Sequence, residues 1–176
     1  VELWLHSIGV ATCAKMIAQK VNGLDPEEMF TAGMLHDIGR ILFCLYFPDE
    51  LRDILTAVHN DDISLTEAEM KYGLAHSEIG AYLAYRWQLG SFMVNAIRFH
   101  HNPQKAGDHV QAAAAINLAD AITIQLQIGW KGLGPAPKIM VPKVLGLDTP
   151  QIKEIAKKLK DEKEQIMSGW SSVINA

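Results

Sequence analysis

No lysine- or arginine-rich block occurs in this 176-residue sequence, and its longest uninterrupted apolar run, Ile41 to Phe47, is short. A bilayer span needs about 20 apolar residues, so no membrane role is expected. A formal charge of −4 without a cationic stripe argues against nucleic acid as the main partner. Only two cysteines are present, Cys13 and Cys44, with no CxxC spacing, which excludes a disulfide framework and a zinc ribbon. The expectation is reduced core thiols in a cytoplasmic protein. No P-loop and no glycine-rich dinucleotide fingerprint occurs. The chain opens at Val1 without a methionine or a signal segment, which leads us to expect a piece of something longer. Period-two alternation is also missing, and with it any expectation of a sheet.

What remains is helical periodicity in a chain that is 49% apolar and 20% charged, the profile of one globular domain spanning 1–176. Residues 2–21 repeat apolar side chains at three and four, as a helix does. "LDPEE" supplies a helix start, with Asp25 as N-cap, Pro26 in the first turn and two acids on the positive end of the dipole. This helix is expected to run to the His36-Asp37 pair, with Gly39 permitting a bend after it. Pro48 opens another helix, and Ser64 with Glu67 offers a capping box. Asp108 is placed to cap an alanine-rich helix, and Thr149-Pro150 begins a final charged one. On the latter, Ile152, Ile155, Leu159, Ile166 and Trp170 fall near one stripe, which packs on its own domain or forms a partner surface. The fold class is all-α.

Within "MLHDIGR", a histidine, an aspartate and an arginine fall inside an apolar stretch, where an unpaired charge is costly. Of the seven histidines, His6, His36, His76, His100 and His101 lie on the expected helices or at their ends. Glu2 shares a helix face with His6, and Asp120 sits in the apolar "AINLADAI". Adjacent pairs such as His36-Asp37 and His100-His101 reach one centre only from a helix end or a bend. Five imidazoles and three carboxylates suffice for more than one metal ion. They suit iron, manganese, zinc, cobalt or nickel rather than calcium, and Asp37 is the candidate bridge. Each piece has an ordinary alternative, such as an exposed Glu2–His6 pair or histidines closing a helix.

The order H … HD … H … HH … D resembles the HD superfamily of metal-dependent phosphohydrolases, and within it the HDOD module of bacterial signalling proteins. "LWLHSIGVATCAKMIA", "PEEMFTAGMLHDIGRIL", "HSEIGAYLAYRWQL", "AIRFHHNP" and "INLADAI" carry the resemblance over residues 2–128. It implies a helical bundle around two metal ions, with iron the leading expectation, and a chain forming the C-terminal part of a longer HDOD module. By motif, His6, His36, Asp37 and Asp120 would hold one ion. The second would share Asp37 and take His76, His100 and His101. Glu2 resembles the extra acid that some cyclic-dinucleotide-cleaving HD-GYP relatives direct at a third metal. Asn102 stands where those relatives carry a glutamate, and no GYP signature follows, so cyclic di-GMP cleavage is not implied.

Two metals about 3.5–4 Å apart activate water and clamp a phosphoryl group, with Asp37 as the bridging, catalytic carboxylate. Arg40, where many HD phosphohydrolases have lysine, or Lys105 would steady phosphate charge; a structural salt bridge is the competing role for Arg40. Three functions follow. One is hydrolysis of a phosphorylated small molecule or nucleotide in signal transduction. Another is a non-catalytic signalling scaffold that binds a protein partner and uses the metals structurally or as sensors. The third is a di-iron oxygenase.

Overall fold

The structure, a computed structural model, describes residues 2–129 and 134–174, with side chains through residue 168. Nine α-helices appear among the described residues, and no strand. They are α1 (Glu2–Ala18), α2 (Pro26–Leu35), α3 (Ile38–Tyr46), α4 (Pro48–Asp61), α5 (Leu65–Lys71), α6 (His76–Arg86), α7 (Gly90–Phe99), α8 (Val110–Gln125) and α9 (Thr149–Ile174). No helix among them is long and apolar enough to cross a membrane.

Helices α1 and α8 are buried nearly all round, because small side chains cover every face of both. Val10, Ala11, Cys13, Ala14 and Ile17 on α1 are fully buried, as are Ala113 to Ile116, Leu118 and Ile122 on α8. Helix α1 packs against α2, α8 and α9. The α1–α2 crossing is close enough that a Cβ on Gly33 would lie 2.6 Å from the Ala11 Cα. A second, small core (Ile54, Val58, Leu65, Ala68) joins α4 to α5 and supports that hairpin beside the main one.

The start signals act as expected in two places. Asp25 accepts from the amides of Glu27 and Glu28, and Ser64 forms a capping box with Glu67. Helix α2 runs to the HD pair as expected, with Asp37 at φ −102°, ψ 13° between α2 and α3. Elsewhere the chain departs from expectation. The break falls at the HD pair itself and not at Gly39. Gly39 lets α3 meet the start of α6, where a Cβ would fall 2.0 Å from the His76 carbonyl oxygen. Asp108 does not cap α8: it lies inside a short 3-10 turn, Gly107–His109, that leaves His109 at the N-cap position, and no side chain caps the helix. The α9 stripe packs inward, with Ile152, Ile155, Leu159 and Ile166 all in the main core, which leaves those residues unable to serve as a partner surface. The Trp170 side chain of that stripe lies outside the described residues. Cys13 is a core thiol, but Cys44 is exposed, as is Trp87 at 52%.

Candidate metal centre

Five elements aim polar side chains at one buried point. His6 comes from the first two turns of α1, the His36-Asp37 pair from the α2–α3 junction and His76 from the first residue of α6. His100-His101 closes α7, and Asp120 projects from the middle of α8. Breaking the helix at the HD pair is what allows adjacent side chains to reach the same centre. Asp37 also opens α3, where the helix dipole favours negative charge.

The two oxygens of Asp37 face different histidines. Its Oδ2 lies 3.4 Å from His36 Nε2 and 3.9 Å from His6 Nε2, and His6 Nε2 is 3.0 Å from Asp120 Oδ1. Its Oδ1 lies 3.1 Å from His76 Nε2 and 4.0 Å from His100 Nε2. His76 Nε2 is in turn 3.3 Å from His100 Nε2 and 3.2 Å from His101 Nε2. Two groups thus have donor atoms close enough to share an ion: His6, His36 and Asp37, and separately His76, His100 and His101.

Which ring nitrogen carries the proton follows from the outer partners. A carbonyl only accepts, so His36 Nδ1 donates to Gly33 O at 2.8 Å, and His100 Nδ1 donates to Ile97 O at 2.6 Å. His76 Nδ1 is held by the Glu69 carboxylate. In neutral rings all three therefore turn bare Nε2 lone pairs toward one another and toward an anionic oxygen. His36 Nε2 and Asp37 Oδ1 are buried and have no hydrogen-bond partner. Orphaned acceptors of this kind are costly unless a cation sits among them. The donors fit divalent transition metals, and the outer carbonyls and carboxylate are the orienting contacts that metal-bound histidines make.

Electrostatics without metal point the same way. Burial opposes charge on Asp37, but the Arg40 guanidinium and the rings of His36 and His76 hold its carboxyl well below the usual range. Burial also opposes charge on Asp120, yet the hydrogen bond from His6 brings it to about 2. Burial pushes His36 and His100 down, and the neighbouring rings push His100 further. His76 goes up: burial and Arg40 oppose its charge, while Asp37 and Glu69 outweigh them.

Of the residues picked out in the sequence, His6, His36, Asp37, His76, His100, His101 and Asp120 converge. Glu2 is exposed at the start of α1 and belongs to neither group. Arg40 is 7% exposed and donates to Asp37 Oδ2 and, through Nε at 2.9 Å, to Glu69 Oε1. Its Nη2 lies 3.5 Å from Thr66 Oγ1, on the wall of a cavity of about 770 Å³. His6, Arg40, His101 and Asp120 also line that cavity, so the centre is reachable from outside. Lys105 does not line it; Lys138 does, together with Gly134 to Pro137. Residues 134–138 of the Gly/Pro-rich segment "GWKGLGPAPK" thus line the cavity, whereas 130–133 lie outside the described residues. Glu69 is the functional group that sequence reasoning missed. One of two acids in "TEAEMKYG", it carries no mark beyond sitting seven residues before His76.

A helical bundle with an HD pair at a helix junction and histidines from three further helices around it defines an HD-superfamily domain. The chain belongs to the HDOD domain family, whose model matches residues 1–103. Among solved structures it is similar to an HDOD domain protein with unknown function from Geobacter sulfurreducens, with TM-score 0.72 and 28% identity, covering 98% of this chain and 59% of that one. It is also similar to a protein from Shewanella amazonensis SB2B provisionally designated a phosphohydrolase, with TM-score 0.74 and 27% identity, covering 94% of this chain and 61% of that one. Among curated proteins, a ribonuclease Y from Opitutus terrae is 34% identical over 118 residues, 67% of this chain and 17% of that protein. An uncharacterized protein from Treponema pallidum is 35% identical over 77 residues, 43% of this chain and 15% of that protein. The chain thus spans under a fifth of these curated relatives and about three fifths of these two solved chains.

Proposed function

We propose that this chain is a metal-dependent phosphoester hydrolase module of a bacterial signalling protein, acting on a phosphorylated small molecule or nucleotide. The observation that carries the reading is the conjunction of a buried histidine–aspartate centre with an open cavity that reaches it. When bound there, divalent ions would activate water and neutralise phosphoryl charge. His6, His36, Asp37 and Asp120 would hold one ion, and His76, His100, His101 with the other Asp37 oxygen the second; iron leads, with manganese, nickel, cobalt or zinc as further fits. The chain's own residues supply the rest. Asp37 sets the spacing of the two groups. Arg40, whose Nε and Nη1 are engaged by Glu69 and Asp37, would turn its Nη2 at the cavity wall to a phosphate oxygen. Lys138 adds a second cation on the same wall. The names of the similar ribonuclease Y and of the Shewanella protein agree with phosphoester chemistry. A net charge of −4 without a basic stripe favours a small substrate over a long nucleic acid.

A second reading, a non-catalytic signalling module with structural or sensory metals, has one observation in its favour. Arg40 is already neutralised between Asp37 and Glu69, so the centre is held together without any substrate. The resemblance to a provisionally designated signal transduction protein from Marinobacter aquaeolei VT8 supports the shared fold alone, with TM-score 0.83 and 24% identity over 96% of this chain and 38% of that one.

The deciding experiment loads the metal-free protein with iron, manganese or zinc and measures release of p-nitrophenol from bis-p-nitrophenyl phosphate, then of phosphate from a nucleotide set. Metal-dependent turnover that is lost in Asp37→Ala while metal-free folding is retained supports the hydrolase. Two bound metals without turnover on any phosphoester would transfer the weight to the signalling module.

A further inference from the structure

His76 is the one ligand histidine held from behind by a carboxylate. The corresponding nitrogens of His36 and His100 rest on neutral backbone carbonyls, Gly33 O and Ile97 O. Behind His76 stands Glu69, 1% exposed on α5, whose Oε2 takes the His76 Nδ1 and whose Oε1 accepts from Arg40 Nε at 2.9 Å. The other end of that guanidinium donates to Asp37. A closed chain of contacts results: Asp37, Arg40, Glu69, His76 and back to Asp37 across 3.1 Å. Glu69 arrives from outside the main bundle, because α5 rests on α4 and the separate small core around Ile54 and Leu65.

From this geometry we infer that Glu69 is the positioning residue of the centre: it fixes His76 as the anchoring ligand of one metal group and holds Arg40 in register with Asp37. The physical reason is twofold. A carboxylate accepting the Nδ1 proton pins the tautomer whose Nε2 lone pair points inward. It also raises the electron density of that lone pair more than a carbonyl does. Burying a bare carboxylate there would be costly, and the Arg40 contact removes that cost. The α4–α5 hairpin therefore belongs to the centre through one side chain. The inference rests on the metal-binding part of the proposed function and not on turnover.

The test is a zinc titration of the metal-free full chain by calorimetry, comparing wild type with Glu69→Gln and His76→Ala. The ion lost in His76→Ala identifies the group concerned. Glu69→Gln should bind that ion 10- to 100-fold more weakly, with any ion at the His6–His36 group changed by less than about twofold. Unchanged affinity, an equal loss at both groups, or a wild type that takes up no zinc would overturn the inference. A wild type that binds zinc but hydrolyses nothing would leave it standing, so the two readings fail separately. Should Glu69→Gln not fold, the wild type answers alone: nitrogen-15 shifts of the metal-free protein above neutral pH must place the His76 proton on Nδ1. A proton on Nε2 instead would contradict the role.

Discussion

His76 Nε2 stands 3.1 Å from Asp37 Oδ1, although the two residues open different helices, α6 and α3. What lets those helix starts meet is Gly39, whose absent side chain leaves room for the His76 carbonyl. Gly39→Ala should therefore separate the two side chains before it affects anything else. A Cβ there would fall 2.0 Å from backbone rather than from a flexible side-chain tip, so α3 or α6 must shift. Overpacking of this kind costs about 1–3 kcal/mol. Urea unfolding of the metal-free variant should show that loss, and metal uptake should fall with it. Wild-type stability together with wild-type metal content would refute the close-approach argument.

Metal content should track the histidines as two sets. In protein purified without added metal or chelator, elemental analysis should find more metal in wild type than in His36→Ala or His100→Ala. Each variant removes one inward lone pair from a different group. If both variants retain the full wild-type content, the converging rings are not ligands.

Arg40 separates charge neutralisation from catalysis. Arg40→Ala leaves Asp37 and Glu69 without their shared cation, and breaking a buried pair typically costs about 3–5 kcal/mol. Bound divalent metal should offset part of that loss on the Asp37 side. The expected outcome is a variant that melts well below wild type when metal-free and closer to it when loaded, with phosphoester turnover of the loaded form reduced. Equal melting temperatures of the metal-free forms would mean that the ion pairs contribute nothing to the fold.

Much of this centre could be read from the order of residue types, because histidines and acids recurring inside apolar helices are costly unless they share a partner. Asp25 and the Ser64–Glu67 box were equally readable, since caps act through bonds within four residues. Glu69 and Lys138 were not. Their roles depend on where α5 comes to rest against α3 and α6 and where the 134–140 loop meets Ile63 and Gln125, and nothing local distinguishes them from solvated charges. The helix break at His36-Asp37 was readable for another reason: adjacent side chains reach one point only from a helix end or a bend, and His, Asp and Gly are weak helix formers. Asp108 shows the opposite outcome, a good local N-cap signal defeated because the residue is taken into a tight 3-10 turn before α8.

The C-terminal helix gives a test of packing. Leu159 and Ile155 on α9 are fully buried against the main bundle, and α9 packs directly on α1, which carries His6. Leu159→Ala should lower unfolding free energy by about 2–5 kcal/mol, with the slope against denaturant unchanged. A loss below about 0.5 kcal/mol, the range of surface substitutions, would return α9 to the status of a free surface.

Acid should weaken the metal-free fold through its histidines. The folded state holds His101 at about 4, mainly by removing it from water beside His76, and keeps His36 and His100 below 6.5 as well. An unfolded chain has no such restraint and takes up protons at the ordinary value of about 6.5. Between these limits the unfolded state binds more protons, so stability falls as pH falls. His76 acts in the opposite sense. Its pKa is raised in the folded state, so its contribution is complete below about 6.5 and is lost as pH rises through the raised value. Three histidines against one leave a net loss on acidification. Asp120, held at about 2, adds a further loss once pH drops below the ordinary carboxylate value of 3.8. The melting temperature of chelator-treated protein should accordingly decline steadily from about pH 6.5 to about pH 4. His101→Gln should flatten the curve by removing one of the three groups, and an identical slope in that variant would show that His101 titrates alike in the folded and unfolded chain.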